Sequence, residues 1–184
     1  PLEWLVCAFH MMSVFAHFYN MVSTRYTDSR YTDWLFRKMN PGRWLEYFFS
    51  ASIMQAVLLV MTGYTDVWLL STSAVLMAIT QVFGHTTEQY LNAADKAPLE
   101  LHFTERWQFF FAGVVSFSPP WVAIYYSFLW SINNSDPGPP EWVKALIWTL
   151  VLTFASFAFV MVYYIRNYRE KFISFKSERV YCVL

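Results

Sequence analysis

Charge is scarce in this chain. Only 14% of its 184 residues are Asp, Glu, Lys or Arg, against roughly a quarter in ordinary soluble domains. So few charges cannot clothe a solvated surface, whereas 57% hydrophobic and 21% aromatic residues suit a surface that meets lipid. The formal net charge is zero, which gives no sign of a nucleic acid partner. Cysteine is nearly absent. Cys7 and Cys182 sit far apart in apolar segments, offering neither a metal spacing nor a disulfide framework, and both read as small core or lipid-facing residues. There is no signal peptide pattern, no Gly-rich phosphate loop, no Cys/His metal spacing and no Ser/His/Asp order of weight. Nothing therefore points to a bound metal or to an enzyme.

What is present is a series of long gaps between charges, each about the 20 residues a membrane helix needs. They predict membrane segments near residues 2–24, 43–63, 66–87, 106–131 and 141–166, with a sixth near 178–184 that is cut short. All are too apolar around their whole circumference for surface helices. The fold expected is all-α, a polytopic membrane helix bundle forming one domain over residues 1–184. The chain begins at Pro1 without methionine and stops at Leu184 inside an apolar run, so it reads as part of a longer protein.

The connections differ in character. Arg25 to Met39 reads as a polar loop whose Trp34-Leu35-Phe36-Arg37-Lys38 end suits the membrane interface. Thr62-Gly63-Tyr64-Thr65-Asp66 reads as a tight turn. Glu88 to Glu105 reads as a long polar connection holding a solvated His102, with His85 solvated at its boundary. Asn133 to Pro140 is too rich in turn residues to be helical. Arg25, Arg30, Arg37, Lys38, Arg43, Lys96, Arg106, Arg166, Arg169, Lys171, Lys176 and Arg179 all fall on one side, against Lys144 alone on the other. The positive-inside rule places those twelve in the cytoplasm. Pro1 then starts outside; with one helix preceding Pro1, the full protein is expected to have a cytoplasmic N-terminus and an extracellular or lumenal C-terminus.

Three ionisable groups lie within the apolar segments: His10, His17 and Glu46. His10 and His17 are seven apart and share a helix face with Ser13. They read either as neutral, hydrogen-bonded core histidines or as a proton-accepting polar cluster beside a buried charge. Glu46 follows Asn40-Pro41-Gly42, a helix start with a capping residue and a proline in the first turn. A carboxylate entering a low-dielectric slab needs a cation. The cation is either Arg43, one turn earlier, or a buried cationic cofactor. Ser50 lies one turn beyond Glu46 and reads as a packing residue or a ligand. Phe109, Phe110, Phe111, Trp121, Phe154 and Phe157 face lipid or core, or line a flat apolar ligand. Pro119-Pro120 is expected to kink or unwind its helix, freeing backbone groups that need a partner.

Arg43-Trp44-Leu45-Glu46-Tyr47 followed by Ser50-Ala51-Ser52 resembles the third-helix signature of the heliorhodopsins, microbial rhodopsins of inverted membrane orientation. Ser13 with His17 and Phe18, Pro120-Trp121, Ser156-Phe157-Ala158 and Ser177-Glu178-Arg179-Val180-Tyr181 agree with that family in order and approximate spacing. The resemblance runs from the start of the second family helix to the start of the seventh. It implies a rhodopsin-like seven-helix fold, of which five full helices and the start of a sixth are present here.

The resemblance further implies all-trans retinal as a protonated Schiff base, with Glu46 as counterion and His17, Ser13, His10 and Ser50 as the polar, proton-accepting cluster. It places Met54, Met77, Thr80, Phe111, Pro120, Phe154 and Phe157 around the retinal. The family's retinal-binding lysine lies on the seventh helix, just beyond Leu184, so the cofactor is expected only if that missing helix carries it. The function implied is light sensing. Outward pumping is disfavoured, because no second carboxylate stands between Tyr47 and Thr65. A non-photoactive structural subunit and a light-gated ion or proton channel are the competing readings. The partners expected are the lipid bilayer, a homodimer or membrane-complex neighbour, and a cytoplasmic protein or anionic lipid on the basic face.

Overall fold

The computed structural model describes residues 2–26, 30–97, 100–134, 140–171 and 173–181. Among these residues it is all-helical: α1 (Leu2–Tyr26), α2 (Arg30–Phe36), α3 (Pro41–Met61), α4 (Val67–Lys96), α5 (Phe103–Asn134), α6 (Glu141–Arg166) and α7 (Ile173–Tyr181). Five of them, α1 and α3 to α6, are long and apolar enough to cross a bilayer. The chain is a multi-pass integral membrane protein. Its outer surface agrees with that. Trp68 is 82% exposed, and Val115 and Phe159 are 72% exposed each. Such side chains are a liability in water and the natural facing for hydrocarbon.

Local chemistry sets the helix ends. The Asn40 side chain accepts from the Arg43 backbone N–H at 3.1 Å, with Pro41 in the first turn of α3. That satisfies one orphan donor and uses a residue that has none to offer. Asp66 does the same for α4, accepting from the Leu69 N–H at 2.7 Å. Between them the chain reverses at Thr62-Gly63, where Gly63 takes φ +98°.

Two connections differ from the sequence reading. The stretch from Glu88 onward does not leave the helix, since α4 continues to Lys96. Charge-free gaps mark the apolar part of a helix and not its end. Beyond Thr87 the buried positions Glu88, Leu91, Asn92 and Ala94 keep helical spacing while their neighbours turn polar. The Arg25–Met39 connection contains the short helix α2. Its Leu35 is buried, and Asp33 pairs with Arg37 one turn on at 2.8 Å. Residues 27–29 of that connection, 135–139 of the Asn133–Pro140 connection and 182–184 of the expected sixth segment lie outside the described residues. Pro119 and Pro120 stand inside an α5 that continues through both.

Close backbone packing joins α3 to α4 and α1, α4 to α5, and α6 to α7. Large side chains do the remaining work. Leu91, Trp107, Met161, Tyr164, Ile165, Tyr168 and Ile173 form one core cluster, which ties α6 to α4 and α5 at one end of the bundle. Leu58, Leu59 and Ile124, with Trp121 and Leu150 against them, form a second. Between these clusters the walls stand apart, and that gap holds the candidate site.

The turn supplies a clean test. A Cβ at Gly63 would meet nothing within 4 Å, so Gly63→Ala introduces backbone strain alone. A stability loss of order 1–3 kcal/mol is expected from the left-handed φ, read as a lowered unfolding midpoint in detergent. An unchanged midpoint would show that the turn relaxes to another conformation.

Candidate functional site

A cavity of about 450 Å³ lies between α1, α3, α4, α5 and α6, within the roughly 300–1,000 Å³ typical of small-molecule sites. Helical spacing delivers each wall. From α5 come Phe109, Phe110, Gly113, Val114 and Phe117, a stripe recurring every three to four residues. From α6 come Leu150, Thr153, Phe154, Phe157, Ala158 and Met161 on the same principle. Ring edges lock this wall: Phe117 and Phe154 both meet Trp121, at 5.6 and 5.1 Å between centroids, and Phe157 meets Tyr47 of α3 at 5.5 Å.

The polar groups in the wall divide into two kinds. Thr80, Thr87 and Thr153 donate to carbonyls one turn back in their own helices, at 2.8–2.9 Å. Those hydroxyls are already used. Gln81 Nε2 is 3.7 Å from Met77 Sδ. Ser13 and His17 of α1 with Glu46 and Ser50 of α3 form the other group, and all four line the cavity. Here a carboxylate, an imidazole and two hydroxyls border an otherwise aromatic space. Such an arrangement suits a ligand that is apolar along most of its length and polar or cationic at one end.

Of the residues that the resemblance assigned to the polar cluster and the retinal pocket, the cavity wall includes Ser13, His17, Glu46, Ser50, Met54, Thr80, Phe154 and Phe157. Four do not reach it. His10 is exposed, with its ring Nδ1 2.8 Å from the Val6 carbonyl; it belongs to the outer side of α1. Met77 is fully buried between helices, one turn from Thr80. Phe111 is half exposed because it stands off the Phe109–Phe117 stripe. Pro120 is buried one turn past Phe117, beyond the wall. Phe109 and Phe110 line the cavity, whereas Trp121 backs it from behind.

At one end of the cavity lies a cluster that sequence reasoning missed. Glu88, read as part of a polar connection, is only 3% exposed. It accepts from Arg43 Nη2 through one oxygen. Through the other it accepts from Trp44 Nε1 at 2.7 Å and the Asn40 backbone N–H at 3.2 Å. Arg43 is itself 4% exposed. Spacing alone offers this guanidinium to Glu46; across the α3–α4 interface it forms an ion pair with Glu88. The missed signal was the helical recurrence Thr87-Glu88, Leu91-Asn92, which marks an inward face beyond the apolar run.

A second tier follows. Lys38, in a left-handed conformation with φ 54°, donates to Asp95 at 2.6 Å and to the Tyr168 carbonyl at 3.0 Å. The Tyr164 hydroxyl donates to the Lys38 carbonyl at 2.5 Å. These bonds tie the α2–α3 connection to α4 and to the end of α6. His85, expected to be solvated, is half-buried, with Nε2 2.9 Å from the Gln89 amide nitrogen. His102 is exposed, as read.

A buried pair of this kind is sensitive to losing one partner. Arg43→Ala and Glu88→Ala each leave an uncompensated buried charge, and each is expected to cost about 3–5 kcal/mol. The double variant should lose clearly less than the sum. Unfolding midpoints in detergent measure all three, and strict additivity would dissolve the pair as an energetic unit.

The family model named Heliorhodopsin matches residues 1–184, and the chain belongs to that family. No curated relative matches it.

Proposed function

We infer that this heliorhodopsin-family protein, a microbial rhodopsin by descent, is a retinal-binding light sensor of the membrane. One observation carries the reading: Glu46, His17, Ser13 and Ser50 all line a cavity otherwise lined mainly by aromatic and aliphatic groups. The residues present fit the cofactor. Phe110, Phe117, Phe154 and Phe157 supply flat contacts for a polyene, and Glu46 supplies the negative charge its cationic linkage would need. When bound as a protonated Schiff base, retinal supplies a light-driven isomerisation.

The chain's own residues do the rest. The Glu46 carboxylate favours the charged form of a nearby cation by Coulombic attraction, which strengthens as water is excluded. Ser50, one turn further, and Ser13, facing from α1, orient polar contacts around it. His17 is the group able to hold a proton that leaves this wall. The aromatic walls exclude water and confine any change of ligand shape to a few directions. α3 carries no further carboxylate between Tyr47 and Met61, so that helix offers no second acid for an outward proton relay, and sensing is favoured over pumping. The Lys- and Arg-rich side faces the cytoplasm in this reading, where a protein partner or a second copy would receive the signal.

Glu46→Gln decides the central role. Removing the carboxylate withdraws support for the cation, so the pH at which the pigment loses its proton should fall by on the order of 1–3 units. The absorption maximum should move with it. Spectral titration of purified, retinal-supplied protein checks this. An unchanged spectrum and titration would remove Glu46 from the role, and protein that stays colourless would end the photoreceptor reading.

A further inference from the structure

Gly84 of α4 lies against the Trp44 ring of α3. A Cβ built there would lie 2.3 Å from both Cη2 and Cζ3 of Trp44 and 3.1 Å from its Cε3. No real side chain tolerates that distance, and the obstructing atoms belong to a rigid ring. The absence of a side chain at Gly84 is therefore what lets the indole lie against α4. Its opposite edge is held too. Nε1 donates to Glu88 Oε2 at 2.7 Å, and the Arg43 guanidinium lies 5.1 Å from the ring centroid. The ring meets Tyr47 edge-on at 6.5 Å, and Tyr47 meets Phe157 at 5.5 Å. Trp44, Gly84, Tyr47 and Phe157 all line the cavity, whereas Glu88 and Arg43 do not.

We propose that Trp44, seated on Gly84 and bonded to Glu88, is a positioning residue that couples the shape of the cavity to the buried Arg43–Glu88 pair. One rigid ring belongs to both structures. It cannot move away from a ligand without bending or breaking its bond to Glu88. The coupling runs both ways by thermodynamic necessity. A change in the acceptor at position 88 must alter the cavity wall, and a change in the wall must alter the hydrogen bond. From Glu88 the consequence reaches Asn40, whose neighbour Lys38 anchors to Asp95 and Tyr168. The chromophore part of the test rests on the light-sensor reading, while the ligand-free part does not.

The test uses Gly84→Ala, Trp44→Phe, Glu88→Gln and the double variant Gly84→Ala/Trp44→Phe in the retinal-supplied membrane protein. Gly84→Ala should lower retinal uptake several-fold and displace the absorption maximum. The double variant should recover most of both, since the shorter Phe ring vacates the contact. Glu88→Gln should displace the maximum although residue 88 lies outside the cavity, and Trp44→Phe should abolish that displacement. Additive effects of the Gly84 and Trp44 changes, or an unchanged spectrum in Glu88→Gln, would overturn the proposal.

Should Gly84→Ala fail to fold, the Glu88→Gln and Trp44→Phe comparison decides alone. Should the parent protein take up no retinal, the light-sensor reading fails while the seat remains testable. In ligand-free protein the indole N–H vibration, identified by its loss in Trp44→Phe, should shift in Glu88→Gln and also in Gly84→Ala. A band indifferent to Gly84→Ala would overturn the coupling.

Discussion

A carboxylate enclosed by an apolar bundle persists only if donors meet each of its oxygens, and Glu88 meets that condition with a guanidinium, an indole and a backbone amide. Each donor comes from the first turn of α3 or its cap. The cap, the first turn and the inward face of α4 are therefore one electrostatic object. The asymmetry of buried ion pairs gives this object its importance. The pair adds little compared with a well-packed apolar substitute, yet losing one member leaves a charge with nowhere to go. Register between α3 and α4 follows, because a shift of either helix would separate the charges.

That register in turn defines the cavity. With α3 held to α4 and α4 to α5 by close backbone packing, α6 reaches them largely through side chains. Glycine at 84 lets the Trp44 ring lie against α4, and aromatic side chains of α5 and α6 line the cavity. The space left over carries one half-buried acid, Glu46, on the same helix as the buried pair. Two acids thus stand at the start of the membrane region with different surroundings. Glu88 is enclosed among donors, and Glu46 lines the cavity.

How much of this was legible beforehand depends on the kind of signal. The five long helices could be read, because membrane hydrocarbon imposes a length and an apolarity on every segment that crosses it. The α3 start was legible in Asn40-Pro41, since capping is local chemistry. Spacing put His10, Ser13 and His17 on one face of α1, yet the cavity takes Ser13 and His17 and leaves His10 outside. The helical course of residues 88–96 was not legible, because a charge-gap criterion stops at the first charge whether or not that charge is buried. Phe111 and Met77 were misplaced for a related reason. Composition shows that aromatic and sulfur-bearing residues are abundant, but not which side of a helix meets the ligand space.

The sequence by itself determined the helix-spanning segments, the caps, the lopsided distribution of Lys and Arg, and the family. These are properties of single segments, or of a pattern carried along the chain. Only the tertiary structure decided that Arg43 meets Glu88, that Trp44 rests on Gly84, and that Lys38 reaches Asp95 and Tyr168. Each of these joins residues more than thirty positions apart. The physical reason is that a partner across a helix interface is chosen by register and crossing geometry, which no local spacing encodes.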